Sequence, residues 1–163
     1  NISAPFEKFS FQLWKKMLDV NLSGVFNCCK VFGSQMVKQR KGTIVNISSI
    51  YGIVGNDQRI YGNSKINSPV SYAAAKGGII TLTRYLAAYW HKKNIRVNTL
   101  TPGGILDKKY QNKKFIKKYS EKTILGRMAR SDEYNGALLF LMSDASSYMT
   151  GANLVIDGGW TAW

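Results

Sequence analysis

The amino-acid sequence predicts an α/β fold with a parallel sheet. Segments whose apolar residues recur at helical spacing alternate with short β-rich runs. The first of those runs, Thr43-Ile44-Val45-Asn46-Ile47-Ser48, is of the kind buried inside a parallel sheet. No internal repeat and no linker marks a second domain, and 163 residues suffice for one. A complete domain of this size buries about 68–70% of its unfolded surface.

Taken in order, Phe9 to Lys38 reads as helical with a break near Asn21. Leu18, Leu22, Val25, Phe26, Cys29 and Phe32 give the three-and-four spacing of a buried stripe. Gly42 ends this segment and the first strand follows. A polar, irregular stretch runs from Gly52 to Pro69, after which Ser71 is expected to cap a helix reaching about Trp90. Ile95-Arg96-Val97-Asn98-Thr99-Leu100 is the next strand, stopped by Pro102-Gly103-Gly104. A lysine-rich, partly helical stretch comes next. Ser131-Asp132-Glu133 places acids in the first turn of a helix that continues through Ala137-Leu138-Leu139-Phe140-Leu141. Leu154-Val155-Ile156 is the last strand and Asp157-Gly158-Gly159 its closing turn.

Composition narrows the function classes. The chain is 45% hydrophobic and 20% charged, as ordinary globular proteins are. No apolar run approaches the roughly 20 residues of a membrane span, and the N-terminal residues carry no signal-peptide pattern. Cys28 and Cys29 are adjacent in a helical stretch and read as two small buried hydrophobes, so neither a disulfide framework nor a zinc site is expected. This usage fits a reducing cytoplasm. His91, the one histidine, reads as a surface residue at a helix end, so the sequence offers no metal cluster and no Ser-His-Asp triad.

The net charge of +14 invites a nucleic-acid reading. Seven lysines lie between Lys108 and Lys122 against one acid, Glu121. No nucleic-acid-binding signature accompanies them, and abundant Asn, Ile and Tyr suggest AT-rich coding, in which Lys replaces Arg. The expectation is no nucleic-acid partner; the lysines instead favour a phosphorylated or otherwise anionic small molecule.

The chemistry concentrates at Tyr72-Ala73-Ala74-Ala75-Lys76, with Ser48-Ser49 at the end of the first strand. Tyr and Lys four apart share a helical face, so an ammonium can sit beside a phenol. A phenol with its ordinary pKa of about 10 is too weakly ionised to act as a base at neutral pH, and a fixed cation favours the phenolate. A hydroxyl from a strand end can hold a substrate oxygen nearby. This equipment moves a proton on and off an alcohol or carbonyl, and it suggests hydride chemistry with a bound cofactor.

These residues, with four further motifs in order, resemble the short-chain dehydrogenase/reductase family. Asn21-Leu22-Ser23-Gly24 resembles its helix motif with a catalytic Asn, and Gly42 to Ser49 its strand ending in the catalytic Ser. Tyr72 and Lys76 match its Tyr-x-x-x-Lys pair. Ile95-Arg96-Val97-Asn98 with Pro102-Gly103 resembles the strand and loop that meet the nicotinamide, and Asp144 to Gly151 with Asp157-Gly158-Gly159 resembles its closing strand and turn. The resemblance implies a partial Rossmann-like, doubly wound parallel sheet and an NAD or NADP cofactor. It implies that Tyr72 donates the proton in reduction and accepts it in oxidation, that Lys76 lowers the pKa of that phenol and grips the cofactor ribose, and that Ser49 hydrogen-bonds the substrate oxygen. Asn21 would hold a water on the proton path. Pro102, Gly103 and Ile105 would line the nicotinamide side. Between adjacent serines the family alignment favours Ser49 over Ser48.

Two departures stand out. Tyr61-Gly62-Asn63-Ser64-Lys65 is a rival pair at a spacing from Ser49 closer to the family's, but Asn67, Ser68 and Pro69 would stop a helix within one turn of it. Tyr51, Arg59 and Tyr61 then belong to an enlarged loop over the site. Second, no Thr-Gly-x-x-x-Gly-x-Gly and no Asn-Asn-Ala-Gly occurs in the chain. Residues 1–163 are therefore expected to form one incomplete catalytic domain resembling the C-terminal two-thirds of the family, without the N-terminal dinucleotide-binding βαβ units. It carries an insertion at about 52–70 and a lysine-rich substrate loop at about 105–124. The insertion and the ending Gly158-Gly159-Trp160-Thr161-Ala162-Trp163 look most like bacterial members linked to flagellin modification and surface-glycan synthesis, which favours a sugar or sugar phosphate as substrate. A homo-oligomer is expected of the complete protein. The alternative is a catalytically inactive interaction module.

Overall fold

The computed structural model describes residues 1–64 and 66–163. Its centre is a three-stranded parallel sheet in the order β1 (Gly42–Ile47), β2 (Ile95–Pro102), β3 (Asn153–Ile156). Gly42 lies opposite Ile95 and Ile47 opposite Leu100, while Thr99 to Pro102 lie opposite Asn153 to Ile156. Parallel neighbours need long crossovers. Helix α3 (Val70–Tyr89) provides the first, and α4 (Lys113–Ser120) with α5 (Asn135–Met142) lie in the second. Helices α1 (Phe11–Leu18) and α2 (Gly24–Gln39) precede the sheet.

The sheet is covered on both faces. On one, Val97 and Ile95 pack with Trp90, Leu86 and Ala87 of the α3 end and with Met36 and Val37 of α2. Gly33 of α2 is required there, because a Cβ would lie 2.2 Å from the Trp90 ring. On the other, the Arg96 guanidinium reaches the carbonyls of Leu141 and Ser143 at the end of α5. The same surface is braced by Asn98, whose amide donates to the Met149 carbonyl at 2.8 Å. A second core joins the loops at the C-terminal edge: Ile50, Ile60, Tyr119, Met128 and Trp160.

The break near Asn21 is a π-helical turn over Asp19–Ser23, through which the helical hydrogen bonding continues. Three expectations need correction. Phe26 and Phe32 of the presumed stripe are exposed; on α2 burial falls on Cys29 and Gly33, where the small side chains admit the sheet and Trp90. Cys28 is likewise exposed, while Cys29 is buried and its thiol donates to Asn46. Burial pushes the Cys29 thiol pKa up, which makes it unreactive. Ser71 is not the cap of α3. Pro69, extended at ψ 134°, holds that position, and Ser71 lies fully buried inside the first turn with its hydroxyl 3.1 Å from the Met17 sulfur. His91 is exposed just beyond α3, as expected. Among the described residues, no helix is long and apolar enough to cross a membrane.

Candidate active site

The C-terminal ends of β1 and β2 open at the same edge of a parallel sheet, where α/β proteins place their sites. Ser48 and Ser49 continue β1, and the short 3₁₀ turn Ile50–Gly52 follows them. Pro102 ends β2 and Gly103-Gly104-Ile105 continues it. Helix α3 runs beside this edge and carries Tyr72 and Lys76 on one face.

Lys76 is tied to the end of β1 at two points. Its ammonium donates to the Ile47 carbonyl at 2.9 Å, and its own carbonyl accepts from the Ser48 hydroxyl at 2.8 Å. The ammonium lies 5.5 Å from the centroid of the Tyr72 ring. Burial lowers the Lys76 pKa by penalising the charged form, so the cation beside the phenol is partly desolvated and acts in a lower dielectric than water. Gly52 makes the close approach possible. A Cβ there would lie 2.7 Å from the Lys76 carbonyl carbon and 2.8 Å from the Ser48 oxygen.

The two serines divide their work. Ser48 is buried and points back into α3, whereas the Ser49 oxygen accepts from the Tyr51 amide at 3.2 Å and keeps its own proton for another acceptor. Asn21 sits in the π-helical turn, half-buried, with its amide donating to the Met17 carbonyl at 3.0 Å. That turn packs on α3: the Leu22 side chain lies 3.1 Å from the position of a Cβ on Gly78. Asn21 therefore belongs to the element beside Lys76, although its own side chain is turned toward α1. Gly103 packs so tightly on the closing turn that a Cβ would lie 2.8 Å from the Asp157 Cα. Ile105 is exposed and bridges to Ala129.

The 52–70 stretch and the lysine-rich segment cover one side of this edge and are joined to each other. Tyr61 stacks on Phe115 of α4 with centroids 5.5 Å apart. Lys118 donates to the Arg59 carbonyl at 2.9 Å, and the Lys122 ammonium pairs with Asp57 at 2.7 Å. Arg59 and Lys122 hold the Asp57 carboxyl well below the usual carboxylate range. Tyr61 ends a 3₁₀ turn rather than opening a helix, while Lys65 of the rival pair lies outside the described residues.

Comparison with known proteins agrees with this architecture. The model of the Enoyl-(Acyl carrier protein) reductase family matches residues 1–161. Galactitol 2-dehydrogenase (L-tagatose-forming) of Cereibacter sphaeroides is 36% identical over 154 residues, covering 92% of this chain and 58% of that protein. Post-translational flagellin modification protein A of Campylobacter coli is 36% identical over 151 residues, covering 93% of this chain and 58% of that one. The crystal structure of a short chain dehydrogenase from Leptospira borgpetersenii with bound NAD+ superposes with a TM-score of 0.91 at 42% identity, covering 98% of this chain and 61% of that chain.

The chain belongs to the short-chain dehydrogenase/reductase family. It spans less than two thirds of the length of each of these three relatives. As a member of that family it shows three residues that its catalytic motifs did not single out: Ser48 and Gly52, which seat Lys76, and Tyr119, whose hydroxyl meets the Gly104 amide at 2.6 Å. For Gly52 the available signal was a glycine in the tight turn directly after Ser49, where close approach is one use of a missing Cβ. For Tyr119 no local pattern signals the contact.

Proposed function

We propose that the complete protein is an NAD- or NADP-dependent oxidoreductase interconverting an alcohol and a carbonyl, acting on a sugar, polyol or sugar phosphate. The observation that carries this is the seat of Lys76: one residue bonded at both its ammonium and its carbonyl to the strand end that presents Ser49, with Tyr72 on the same helical face. In oxidation Tyr72 accepts the proton of the substrate hydroxyl, and the neighbouring ammonium stabilises the negative charge that develops on the phenol. In reduction Tyr72 returns the proton to the carbonyl oxygen. Ser49, its hydroxyl oriented by the Tyr51 amide, donates to the same substrate oxygen and fixes the reacting carbon. Asn21 extends the proton path from Lys76 through a bound water.

The donor set fits the nicotinamide-ribose end of such a cofactor. Among the described residues the Lys76 ammonium has one acceptor, the Ile47 carbonyl, so two of its three N–H groups can reach ribose hydroxyls. Pro102, Gly103 and Ile105 follow the end of the adjacent strand and would flank the nicotinamide. When bound, the cofactor supplies the hydride chemistry. The chain contains no glycine-rich turn for a pyrophosphate. The sugar reading is supported by the galactitol dehydrogenase and the flagellin modification protein among its relatives and by the exposed lysines Lys113, Lys114 and Lys117 of α4. The exposed aromatics of α2 and α3, among them Phe26, Phe32, Tyr85 and Tyr89, support self-association through those helices.

The test is cofactor binding by the complete protein, read by quenching of the tryptophan emission, followed by reduction of NAD+ or NADP+ in the presence of polyols. Quenching by NADH or NADPH supports the proposal. A second reading is an inactive interaction module that pairs through the exposed aromatic faces of α2 and α3. It predicts no quenching by either cofactor.

A further inference from the structure

Tyr119 stands where three parts of the molecule meet. It is the last aromatic of α4, yet only 4% of it is exposed. Its ring lies 4.3 Å from that of Trp160, beyond the closing turn, and 5.9 Å from that of Phe115, which stacks in turn on Tyr61 of the 52–70 stretch. Its hydroxyl oxygen accepts the Gly104 amide at 2.6 Å, and Gly104 has no room for a side chain, since a Cβ would lie 2.5 Å from the ring. The same dipeptide is held from behind by Tyr134, whose hydroxyl donates to the Gly103 carbonyl at 3.1 Å, and by the Ala129 amide, which donates to the Gly104 carbonyl at 3.0 Å. Those two contacts come from the body of the domain. Tyr119 alone among them comes from the lysine-rich helix.

We propose that Tyr119 is a positioning residue that ties α4 to the Pro102–Ile105 loop, so that the packing of α4 and the alignment of that loop beside the cofactor are one structural event. This rests on the oxidoreductase reading above. The Tyr119 hydroxyl carries the position of α4 to the Gly104 amide. Burial pushes the Tyr119 pKa up, so the phenol stays protonated and the contact persists across working pH.

The experiment uses Tyr119→Phe, which keeps the ring against Trp160 and removes the hydroxyl. Amide hydrogen exchange at Gly104 should accelerate about five- to tenfold while exchange in β2 is unchanged. Affinity for NADH or NADPH, read by tryptophan quenching, should weaken by a comparable factor. Gly104→Ala, which pushes the ring away, should reproduce the weaker affinity. Unchanged Gly104 exchange or unchanged cofactor affinity in Tyr119→Phe overturns the proposal. Absence of quenching in the parent overturns the oxidoreductase reading and with it the cofactor half of the proposal; the exchange arm then decides separately whether Tyr119 holds the loop.

Discussion

The Ser48 hydroxyl donates to the main-chain carbonyl of Lys76 at 2.8 Å, joining the end of a strand to the middle of a helix 28 residues away. The bond fixes how far α3 can slide along the sheet edge. Ser48 therefore sets the place of Lys76, while the Ser49 oxygen is turned to the Tyr51 amide instead. Ser48→Ala should cost about 1 kcal/mol of stability by leaving this bond unmade. Gly52→Ala should cost more, about 2 kcal/mol, because its Cβ meets backbone atoms of Lys76 that cannot rotate aside. Urea unfolding checks both, and a Gly52→Ala midpoint equal to the parent's would refute the close-approach argument.

Tyr72 and Tyr61 separate cleanly by substitution. Tyr72→Phe keeps the ring 5.5 Å from the Lys76 ammonium and removes the hydroxyl proposed to carry the proton. Turnover of the complete enzyme should fall by about 10²–10⁴-fold. Tyr61→Phe preserves the stack on Phe115, so turnover should stay within a factor of about two, well inside 1 kcal/mol of barrier. Steady-state rates with a polyol and NAD+ or NADP+ give the comparison. Loss of activity in Tyr61→Phe with Tyr72→Phe active would reassign the proton carrier.

Much of this was legible in the sequence because it was written in local patterns. The strand at Thr43 to Ile47, the helix carrying Tyr72 and the Pro102 stop all follow from periodicity and turn chemistry. What was hidden is long-range. Phe26 and Phe32 keep helical spacing but face away from the sheet, since spacing defines a face and not what covers it. Ser71 has the chemistry of a cap, and Pro69 two residues earlier takes the position by its fixed φ. The contact of Tyr119 with Gly104 joins residues 15 apart through a non-helical loop, which no periodic pattern encodes.

Asp57 holds the 52–70 stretch to the chain just after α4. Its carboxylate pairs with Arg59 at 2.8 Å and Lys122 at 2.7 Å, and these partners depress its pKa below the ordinary 3.8. A carboxyl whose folded pKa is depressed contributes stability above its unfolded pKa and loses it as pH falls through the folded value. The docking should thus be fully present above about pH 4 to 5 and persist into stronger acid than an unpaired carboxylate would allow. Exchange of the Arg59 amide, which donates to Asp57 at 3.0 Å, reports it. Asp57→Asn should speed that exchange at neutral pH and flatten its dependence on acid. A parent whose Arg59 amide is released at the ordinary carboxylate pKa would contradict the pairing.

Arg96 is the stability prediction with the sharpest geometry. From the centre of the sheet its guanidinium donates to the hydroxyls of Ser146 at 2.9 Å and Thr43 at 3.3 Å. It also reaches the carbonyls of Leu141, Ser143 and Met149 at 3.2, 3.0 and 3.4 Å. Two of those carbonyls close the C-terminal end of α5, where a cation also meets the negative end of the helix dipole. Lysine keeps the charge but concentrates its donors on one atom, so it cannot span five acceptors spread around a planar fork. Arg96→Lys should lose about 2 kcal/mol by leaving carbonyls unpaired, against less than about 0.5 kcal/mol for the surface substitution Lys114→Ala. Denaturant midpoints at unchanged slope would show it. Equal midpoints for Arg96→Lys and the parent would mean that charge alone, and not the fork, joins α5 to the sheet.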